Sequence, residues 1–189
     1  MLNQSERAAI AHLWERKLNQ DAQKLPVQER HRNLEPASAE FISALASGIQ
    51  ATTILDIGGS SGISTIALAA AARDTNGKVI SIEIEPTRQA EARKTIQNLG
   101  LSQFVEFRSG DAAEFIPQTP GVDLALIDCE KNDYIKFFDL LLPSEKAVVV
   151  ADNILSHNLM DYVSHVRRPG NESLTLQIGK GLEVTRIIK

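Results

Sequence analysis

The feature that most constrains the fold is a glycine-rich turn between a short apolar strand and an alanine-rich helix. The strand ends at Asp56 and the helix begins near Ile63. Three glycines lie between them: Gly58, Gly59 and Gly62. Glycine is needed where a backbone turns sharply or lies against a ligand, because a Cβ would collide there. A helix that begins at such a turn directs free N–H groups and its positive dipole end at it, which favours an anionic group.

A second predicted strand, 78–84, contains an acidic residue near its end, Glu83. A carboxylate in this place can accept hydrogen bonds from ribose hydroxyls. The turn departs from the dinucleotide pattern G-x-G-x-x-G, since Ser60 and Ile63 stand at the second and third glycine positions. We therefore predict a site for a nucleoside with an amino-acid tail and disfavour a nicotinamide or flavin dinucleotide. The alternatives are a plain strand–helix connection and a solvated acid.

Strands and helices alternate from Thr53 onward, which is typical of a parallel sheet covered on both faces. Pro86 is expected in the first turn of a helix that runs to Leu99, and Gly100 is expected to end that helix. We predict an α/β fold with helices on both faces of a mostly parallel seven-stranded sheet and an antiparallel C-terminal hairpin. The predicted strands are 54–56, 78–84, 104–108, 122–128, 147–152, 173–178 and 182–188.

The region before the first strand is predicted to be largely helical. Ser5 is expected to cap a helix that runs to residue 18. The apolar stripe of this helix consists of Ile10, Leu13, Trp14 and Leu18. Such a stripe favours packing on the core or on a partner subunit, and a lid over the site is the alternative. Residues 20–36 are expected to form a connector, and 37–47 another helix that Gly48 ends.

Length and charge limit the classes of function. The 189 residues suffice for one domain, with an N-terminal helical extension (1–36) and a cofactor-binding core (37–189). The net charge of -4 gives no global argument for nucleic-acid or membrane binding. Cys129 is the single cysteine, so no internal disulfide is possible. Together with the lack of an apolar signal-peptide core or membrane-spanning run, this favours a cytoplasmic location.

Hard oxygen donors follow two neighbouring strands of the predicted sheet. Asp128 ends the fourth strand, and Asp152 and Asn153 end the fifth. The carboxyl ends of adjacent parallel strands meet at one edge, where ligand sites of open α/β sheets lie. Two carboxylates and an amide oxygen suit Mg²⁺ or Ca²⁺ and suit zinc poorly. The alternative is that Asp128 caps the next helix and that Asp152 and Asn153 form a turn.

Lys131 follows Asp128 by three residues, so its amine is expected close to any metal at this edge. A divalent cation and reduced solvation both lower the pKa of a lysine, which would suit it to removing a proton from a hydroxyl. The alternative is a solvated loop lysine.

Four segments together resemble a known family. Residues 54–65, 82–86, 127–134 and 150–154 resemble the cation-dependent class I O-methyltransferases of the catechol and caffeoyl-CoA type, which use S-adenosylmethionine. The resemblance extends from about residue 34 to the C-terminus. The glycine turn, strand-end acid, Asp-x-x-Lys and Asp-Asn are specific in this order and spacing, although each alone is weak.

The resemblance implies a Rossmann-like methyltransferase fold and a role for particular residues toward the cofactor. Gly58, Gly62 and Ser64 would hold the methionine end, and Glu83 the ribose hydroxyls. Asp111 and Ala112 would border the adenine, and Cys129 would lie beside the cofactor. The full set expected to bind the cofactor is Asp56, Gly58, Gly59, Gly62, Ser64, Glu83, Ile84, Asp111, Ala112, Asp128 and Cys129.

The same resemblance implies that Asp128, Asp152 and Asn153 bind Mg²⁺ and that Lys131 is the catalytic base. Two vicinal oxygens of a small hydroxylated acceptor would chelate the ion, which lowers the pKa of the attacking hydroxyl. The methyl group would then transfer in line from the sulfonium to that oxygen.

Departures from the family and other readings leave alternatives open. Residues 154–172 are shorter than in long relatives, and no acid near the hairpin matches the one that orients a catechol's second hydroxyl. This weighs against catechol itself and favours an acceptor pocket that is open or completed by a second subunit, as in a homodimer. A site role for His157 is less favoured than a solvated loop histidine. The alternative functions are a tRNA-modifying methyltransferase and a non-catalytic methyltransferase-like binding protein.

Overall fold

One mixed sheet organises the chain. The computed structural model describes residues 1–26 and 30–188. Within them, a seven-stranded sheet has the order β3-β2-β1-β4-β5-β7-β6. Strands β1 to β5 pair in parallel, and β7 is antiparallel to both of its neighbours. The strands are β1 (Thr53–Ile57), β2 (Lys78–Glu83), β3 (Val105–Ser109), β4 (Pro120–Ile127), β5 (Leu142–Ala151), β6 (Asn171–Leu176) and β7 (Leu182–Ile187).

Helices cover the sheet on both sides. The α-helices of the described residues are α1 (Gln4–Ala22), α2 (Pro36–Gly48), α3 (Ile63–Thr75), α4 (Pro86–Asn98), α5 (Ala112–Phe115), α6 (Tyr134–Leu140) and α7 (Met160–Val166). The predicted parallel sheet, its helical cover and the terminal hairpin are therefore confirmed. No helix among the described residues is both long and apolar enough to traverse a bilayer.

The buried strands carry apolar residues on both faces because each face packs on helices. Successive residues point to opposite sides. Ile54 accordingly lies in a core cluster that α1, α2 and α3 share, whereas Leu55 lies in a cluster with Tyr134 and Phe138 of α6. The continuous apolar run of β4 is explained in the same way, since Leu124 lies in the first cluster and Ala125 in the second.

The N-terminal helix differs from its prediction at both ends. The cap is Asn3 rather than Ser5: the Asn3 carboxamide oxygen accepts the Glu6 N–H at 2.9 Å, and a Glu6 carboxylate oxygen accepts the Asn3 N–H at 2.8 Å. This reciprocal capping box satisfies two backbone donors, so the helix begins before Ser5. Ile10 and Leu13 are buried as expected, but Leu18 is 48% exposed. The helix also continues to Ala22, into the predicted connector, and residues 27–29 of that connector lie outside the described residues.

The end of α2 and the start of β5 also differ from their predicted positions. Helix α2 includes Gly48, which was expected to end it, and the Ile49 N–H closes its last turn on Leu45. Strand β5 begins at Leu142 rather than at residue 147, because its irregular first half pairs with the start of β4 through register shifts.

Asp123 ties the starts of three strands together at the edge of the sheet opposite the predicted site. One carboxylate oxygen accepts the Thr52 N–H at 2.8 Å, the Thr52 hydroxyl at 2.9 Å and the Thr53 N–H at 3.2 Å. The other accepts the Ser144 hydroxyl at 2.7 Å. Burial alone would raise the pKa of Asp123, but these hydrogen bonds hold it below its ordinary value of 3.8.

We expect Asp123→Ala to lower the free energy of unfolding by about 2–3 kcal/mol near neutral pH, because several buried donors lose a charged acceptor. A carboxyl with a depressed native pKa stabilises the fold above its unfolded pKa and loses this effect as pH falls through the native value. The difference in the free energy of unfolding between the parent and Asp123→Ala should therefore shrink below pH 3.8. Urea unfolding measures it, with the exposed Glu145→Ala as a control expected within about 0.5 kcal/mol of the parent. An equal loss in both variants would contradict the assignment.

Candidate functional site

A cavity of about 150 Å³ lies at the carboxyl edge of the sheet, beside the ends of β1, β2 and β4. Most of the residues expected to bind the cofactor line it: Gly58, Glu83, Ile84, Asp111, Ala112, Asp128 and Cys129. The others, Asp56, Gly59, Gly62 and Ser64, lie behind this wall and do not line the cavity. The structure thus brings the predicted residues together in one region but divides them into a lining and a support.

The glycine turn packs tightly on its own protein. The Gly58 and Gly59 N–H groups both donate to the Ile82 carbonyl, at 2.9 and 3.2 Å. Gly58 has a φ of 93°, and a Cβ there would overlap the backbone carbonyl of Asp128. Gly62 has a φ of 112° and caps α3, which an L side chain would strain. Close packing between strand ends therefore accounts for Gly58, and the left-handed backbone conformation for Gly62. Their contact with a ligand stays a prediction.

Asp56 supports this turn from beneath. It is fully buried, and one of its carboxylate oxygens accepts the hydroxyls of Thr65 at 2.6 Å, Ser64 at 3.2 Å and Ser81 at 3.2 Å. Its other oxygen has no hydrogen-bond partner among the described residues. Burial raises the pKa of Asp56 to about 6, and the three hydroxyls only partly offset that rise.

Glu83 and Ile84 present a polar and an apolar group to the cavity. The Glu83 carboxylate accepts the Ser60 N–H at 2.8 Å with one oxygen and the Glu85 N–H at 2.9 Å with the other. Each oxygen retains a second lone pair, so the fixed carboxylate can also accept hydroxyls. The Ile84 side chain is 71% exposed, although it lines the cavity, and it offers a flat nucleoside base an apolar surface.

The remaining lining residues have local roles as well. The Asp111 carboxylate caps α5 by accepting the Ala113 N–H at 2.9 Å, and Ala112 is buried behind it. Burial beside the Asp128 carboxylate raises the pKa of the Cys129 thiol. Cys129 thus presents an uncharged, unreactive thiol to the cavity.

The predicted metal residues converge. The Asn153 amide nitrogen donates to an Asp128 carboxylate oxygen at 2.7 Å and to an Asp152 carboxylate oxygen at 3.2 Å. Asn153 reaches this position from a left-handed backbone conformation, φ 66°, which asparagine tolerates. Asp152 is only 2% exposed, and its second oxygen has no hydrogen-bond partner among the described residues. Burial first, and then the Asp128 charge, raise the pKa of Asp152 to about 7.

This donor set fits a hard divalent cation. A partnerless buried carboxylate oxygen and two neighbouring like charges are both relieved by a cation, and all available donors are oxygens once the Asn153 amide rotates. In the part of the chain that the structure describes, no group of three or more His, Cys, Asp or Glu side chains is arranged for a metal. The candidate site has two such side chains, and its third donor is an amide.

Lys131 lies beside this group, in a 3₁₀ turn after β4. Its amine is 3.2 Å from an Asp128 carboxylate oxygen and donates to the Tyr134 hydroxyl at 2.7 Å. The Tyr134 hydroxyl in turn donates to the Asp152 backbone carbonyl at 3.1 Å. Burial, and then the nearby Asp128 charge, raise the pKa of Tyr134, so it stays a neutral donor. Sequence reasoning missed Tyr134; its position three residues after Lys131, on the same face of a helical turn, was the available signal.

A second cavity, of about 240 Å³, adjoins the predicted metal residues. Asp128, Lys131 and Asn153 form one wall. The rest of the lining includes residues of α1, residues 30–33 and Lys180 in the final hairpin. From the sequence, α1 was expected at the site only in the alternative of a lid. The first helix therefore contributes to the site as well as packing on the core. Its alternatives, a lid and a partner interface, stay predictions.

Of the histidine and arginine residues between β5 and β6, only His157 borders the candidate site among the described residues, and the others have partners elsewhere. His157 lines the second cavity, and its ring nitrogen is 2.9 Å from the Ser156 hydroxyl. His165 and Arg168 both lie 2.8 Å from an Asp139 carboxylate oxygen, away from the site. Arg167 donates to the buried Glu183 at 2.8 Å.

A parallel sheet with an antiparallel last hairpin and a cavity at the carboxyl edge of its strands, beside the first glycine turn, defines the Rossmann-like class of cofactor-binding folds. The chain belongs to the O-methyltransferase family, whose family model matches residues 5–178. The family resemblance seen in the sequence is confirmed at this level.

Individual relatives agree. Over 130 residues the chain is 34% identical to a catechol O-methyltransferase of Niastella koreensis, covering 65% of this chain and 58% of that protein. Over 120 residues it is 34% identical to a catechol O-methyltransferase of Mycobacterium tuberculosis, a match that covers 61% of this chain and 54% of that protein. The chain thus spans somewhat more than half the length of these two relatives.

Solved structures share the fold. Cofactor-bound Rv0187 from MTB superposes with a TM-score of 0.80 at 25% identity, covering 95% of this chain and 89% of that one. The O-methyltransferase TomG from Streptomyces achromogenes, in complex with SAM, has a TM-score of 0.80 at 21% identity. The match covers 100% of this chain and 92% of that one. The predicted fold class is thereby confirmed.

We expect Asp56→Asn to remove a pH dependence of stability. A carboxyl whose native pKa is raised stabilises the fold at low pH, and this contribution is lost as pH rises from 3.8 to about 6. The variant should therefore gain stability relative to the parent over that interval, by up to about 3 kcal/mol. Urea unfolding at pH 4 and pH 7 measures the change, with Glu145→Gln as the exposed control. A constant difference between variant and parent across this range would show that Asp56 titrates normally.

Proposed function

We propose that this chain is an S-adenosylmethionine-dependent O-methyltransferase that acts, with Mg²⁺, on a small acceptor bearing two vicinal oxygens. One observation supports it most: Asp128 lines both cavities. A nucleoside cofactor in the first cavity and an acceptor in the second would therefore meet at the candidate metal residues. Family membership and the cofactor-bound structural neighbours support the same reading.

In this proposal, separate groups of residues bind the cofactor and the cation. Glu83 holds the ribose hydroxyls, and Ile84 and Ala112 border the adenine. Asp128, Asp152 and Asn153 hold the cation. When bound, the sulfonium cofactor supplies the methyl group and Mg²⁺ makes a hydroxyl of the acceptor more acidic.

Lys131 accepts the proton of the attacking hydroxyl. With the cofactor and the cation bound, the Lys131 amine would take up the proton that the acceptor oxygen loses as it is methylated. Tyr134 is a positioning residue, because its hydroxyl holds the amine against Asp128 while it is itself anchored on the Asp152 carbonyl.

Three expectations from the sequence belong to the proposal and stay predictions. They are the single-domain organisation, the cytoplasmic location and a homodimeric assembly. A tRNA acceptor and a non-catalytic role are the alternatives that the next experiment separates.

The function is tested by methyl transfer from S-adenosylmethionine to a panel of vicinal diphenols, with Mg²⁺ and then with EDTA. We expect turnover that falls at least 100-fold on chelation and returns with Mg²⁺, within the range typical of a lost catalytic group. Asp152→Asn should weaken Mg²⁺ binding measured by calorimetry, whereas Asp139→Asn, at a remote ion pair, should not. Turnover that survives EDTA would remove the metal role. Transfer to tRNA alone, or to nothing in a broad panel, would favour one of the two alternatives.

For Lys131, we expect Lys131→Met to lower kcat about 10²- to 10⁴-fold, because the proton acceptor is lost. Affinity for S-adenosylmethionine should stay within about twofold, since Lys131 does not line the cofactor cavity. Tyr134→Phe should lower kcat less and leave KM nearly unchanged. The exposed Lys94→Met is the matched control. Parallel losses of kcat and cofactor affinity in Lys131→Met would contradict the assignment as base.

A further inference from the structure

The second cavity is strongly basic, although the whole chain has a net charge of -4. Apart from Lys131, which is the base of the proposed function, its cationic lining residues are Lys17, Arg30, Arg32 and Lys180. Among the residues that the structure describes, the acids of the lining are Asp21 and Asp128. The charge of the cavity lining is thus positive, whereas the net charge of the chain is negative. This difference indicates that the cavity binds a negatively charged group.

Internal ion pairs leave part of this charge uncompensated. Asp21 is shared by two cations, since one oxygen lies 2.6 Å from the Lys17 amine and the other 3.6 Å from the Arg30 guanidinium. Arg32 pairs with Glu130. Lys180 makes no ion pair with any described residue.

Lys180 is fixed at the cavity by its backbone. Its carbonyl accepts the N–H groups of Leu155 at 3.1 Å and Ser156 at 3.3 Å, two and three residues after Asn153. Gly181 permits this approach, because a Cβ there would overlap the Leu155 side chain. Lys180 is half-buried and lines the same cavity as the candidate metal residues.

We propose that the acceptor carries a carboxylate in addition to its vicinal oxygens, and that Lys180, together with Lys17 and Arg30, binds that carboxylate. The inference rests on the proposed function, since it places the reacting oxygens at Asp128 and the anionic group at the basic residues of the same cavity. Charge-assisted hydrogen bonds from lysine and arginine suit a carboxylate, and charges in a partly buried cavity are weakly screened.

The test compares three acceptors of the same ring system with Mg²⁺ and S-adenosylmethionine: protocatechuate, which carries a carboxylate; its uncharged amide; and dopamine, which carries an amine. We expect kcat/KM for protocatechuate to exceed that of the amide about tenfold or more, with dopamine lowest.

Variants of Lys180 assign the effect to a residue. Lys180→Gln should bring kcat/KM for protocatechuate to within about threefold of that for the amide. Lys180→Glu should place dopamine above protocatechuate. The exposed Lys94→Gln is the control and should keep the parental order. Equilibrium dialysis of protocatechuate and the amide against the parent and Lys180→Gln measures the same preference without turnover.

The outcomes separate this inference from the function on which it rests. Equal kcat/KM and equal binding of protocatechuate and the amide, or a preference that Lys180→Gln leaves intact, would overturn the carboxylate site while methyl transfer continued. No transfer to any of the three acceptors would instead count against the proposed function. In that case the dialysis measurement alone decides whether the basic cavity prefers a carboxylate.

Discussion

The close packing of Gly58 against the backbone carbonyl of Asp128 is the constraint on which the site depends. It joins the end of β1 to the end of β4, and the Asp128 N–H reinforces it by donating to the Ile57 carbonyl at 3.0 Å. Any side chain at residue 58 would push these strand ends apart. Because Asp128 stands in the wall between the two cavities, this contact fixes the position of the cofactor cavity relative to the metal residues.

The polar groups at this edge are arranged at a cost to the fold. Asp128 and Asp152 lie around one amide, and one Asp152 oxygen is buried without a partner among the described residues. A buried acceptor without a donor is unfavourable. This cost supports the proposal that the carboxylate pair binds a cation. Tyr134 complements it by donating from a neutral hydroxyl, which adds no charge.

The strands of the sheet could be predicted well because short, local sequence patterns mark each of them. Apolar runs that end in glycine or an acid mark buried parallel strands, and the carboxyl ends of such strands must share an edge. Asp128 and Asp152 could therefore be brought together from strand order alone. The cap at Asn3 was missed because Ser5 offers the same chemistry two residues later, and only the reciprocal contact with Glu6 decides between them. Whether the glycines and Asp56 touch a ligand or only support the turn depends on side-chain packing that no spacing reveals.

The basic wall of the second cavity depends on contacts between distant parts of the chain, which local patterns do not encode. Lys17 arrives on α1, which is fixed to the core by the ion pairs of Arg73 with Glu6 and of Arg16 with Glu91. Lys180 arrives from the last hairpin. The proposed metal and base groups lie on strand ends of the core, whereas these basic residues of the same cavity lie on peripheral segments. Such a division lets the acceptor preference change through α1 and the hairpin without disturbing Asp128, because rigid scaffolds tolerate variation in the segments that surround their sites.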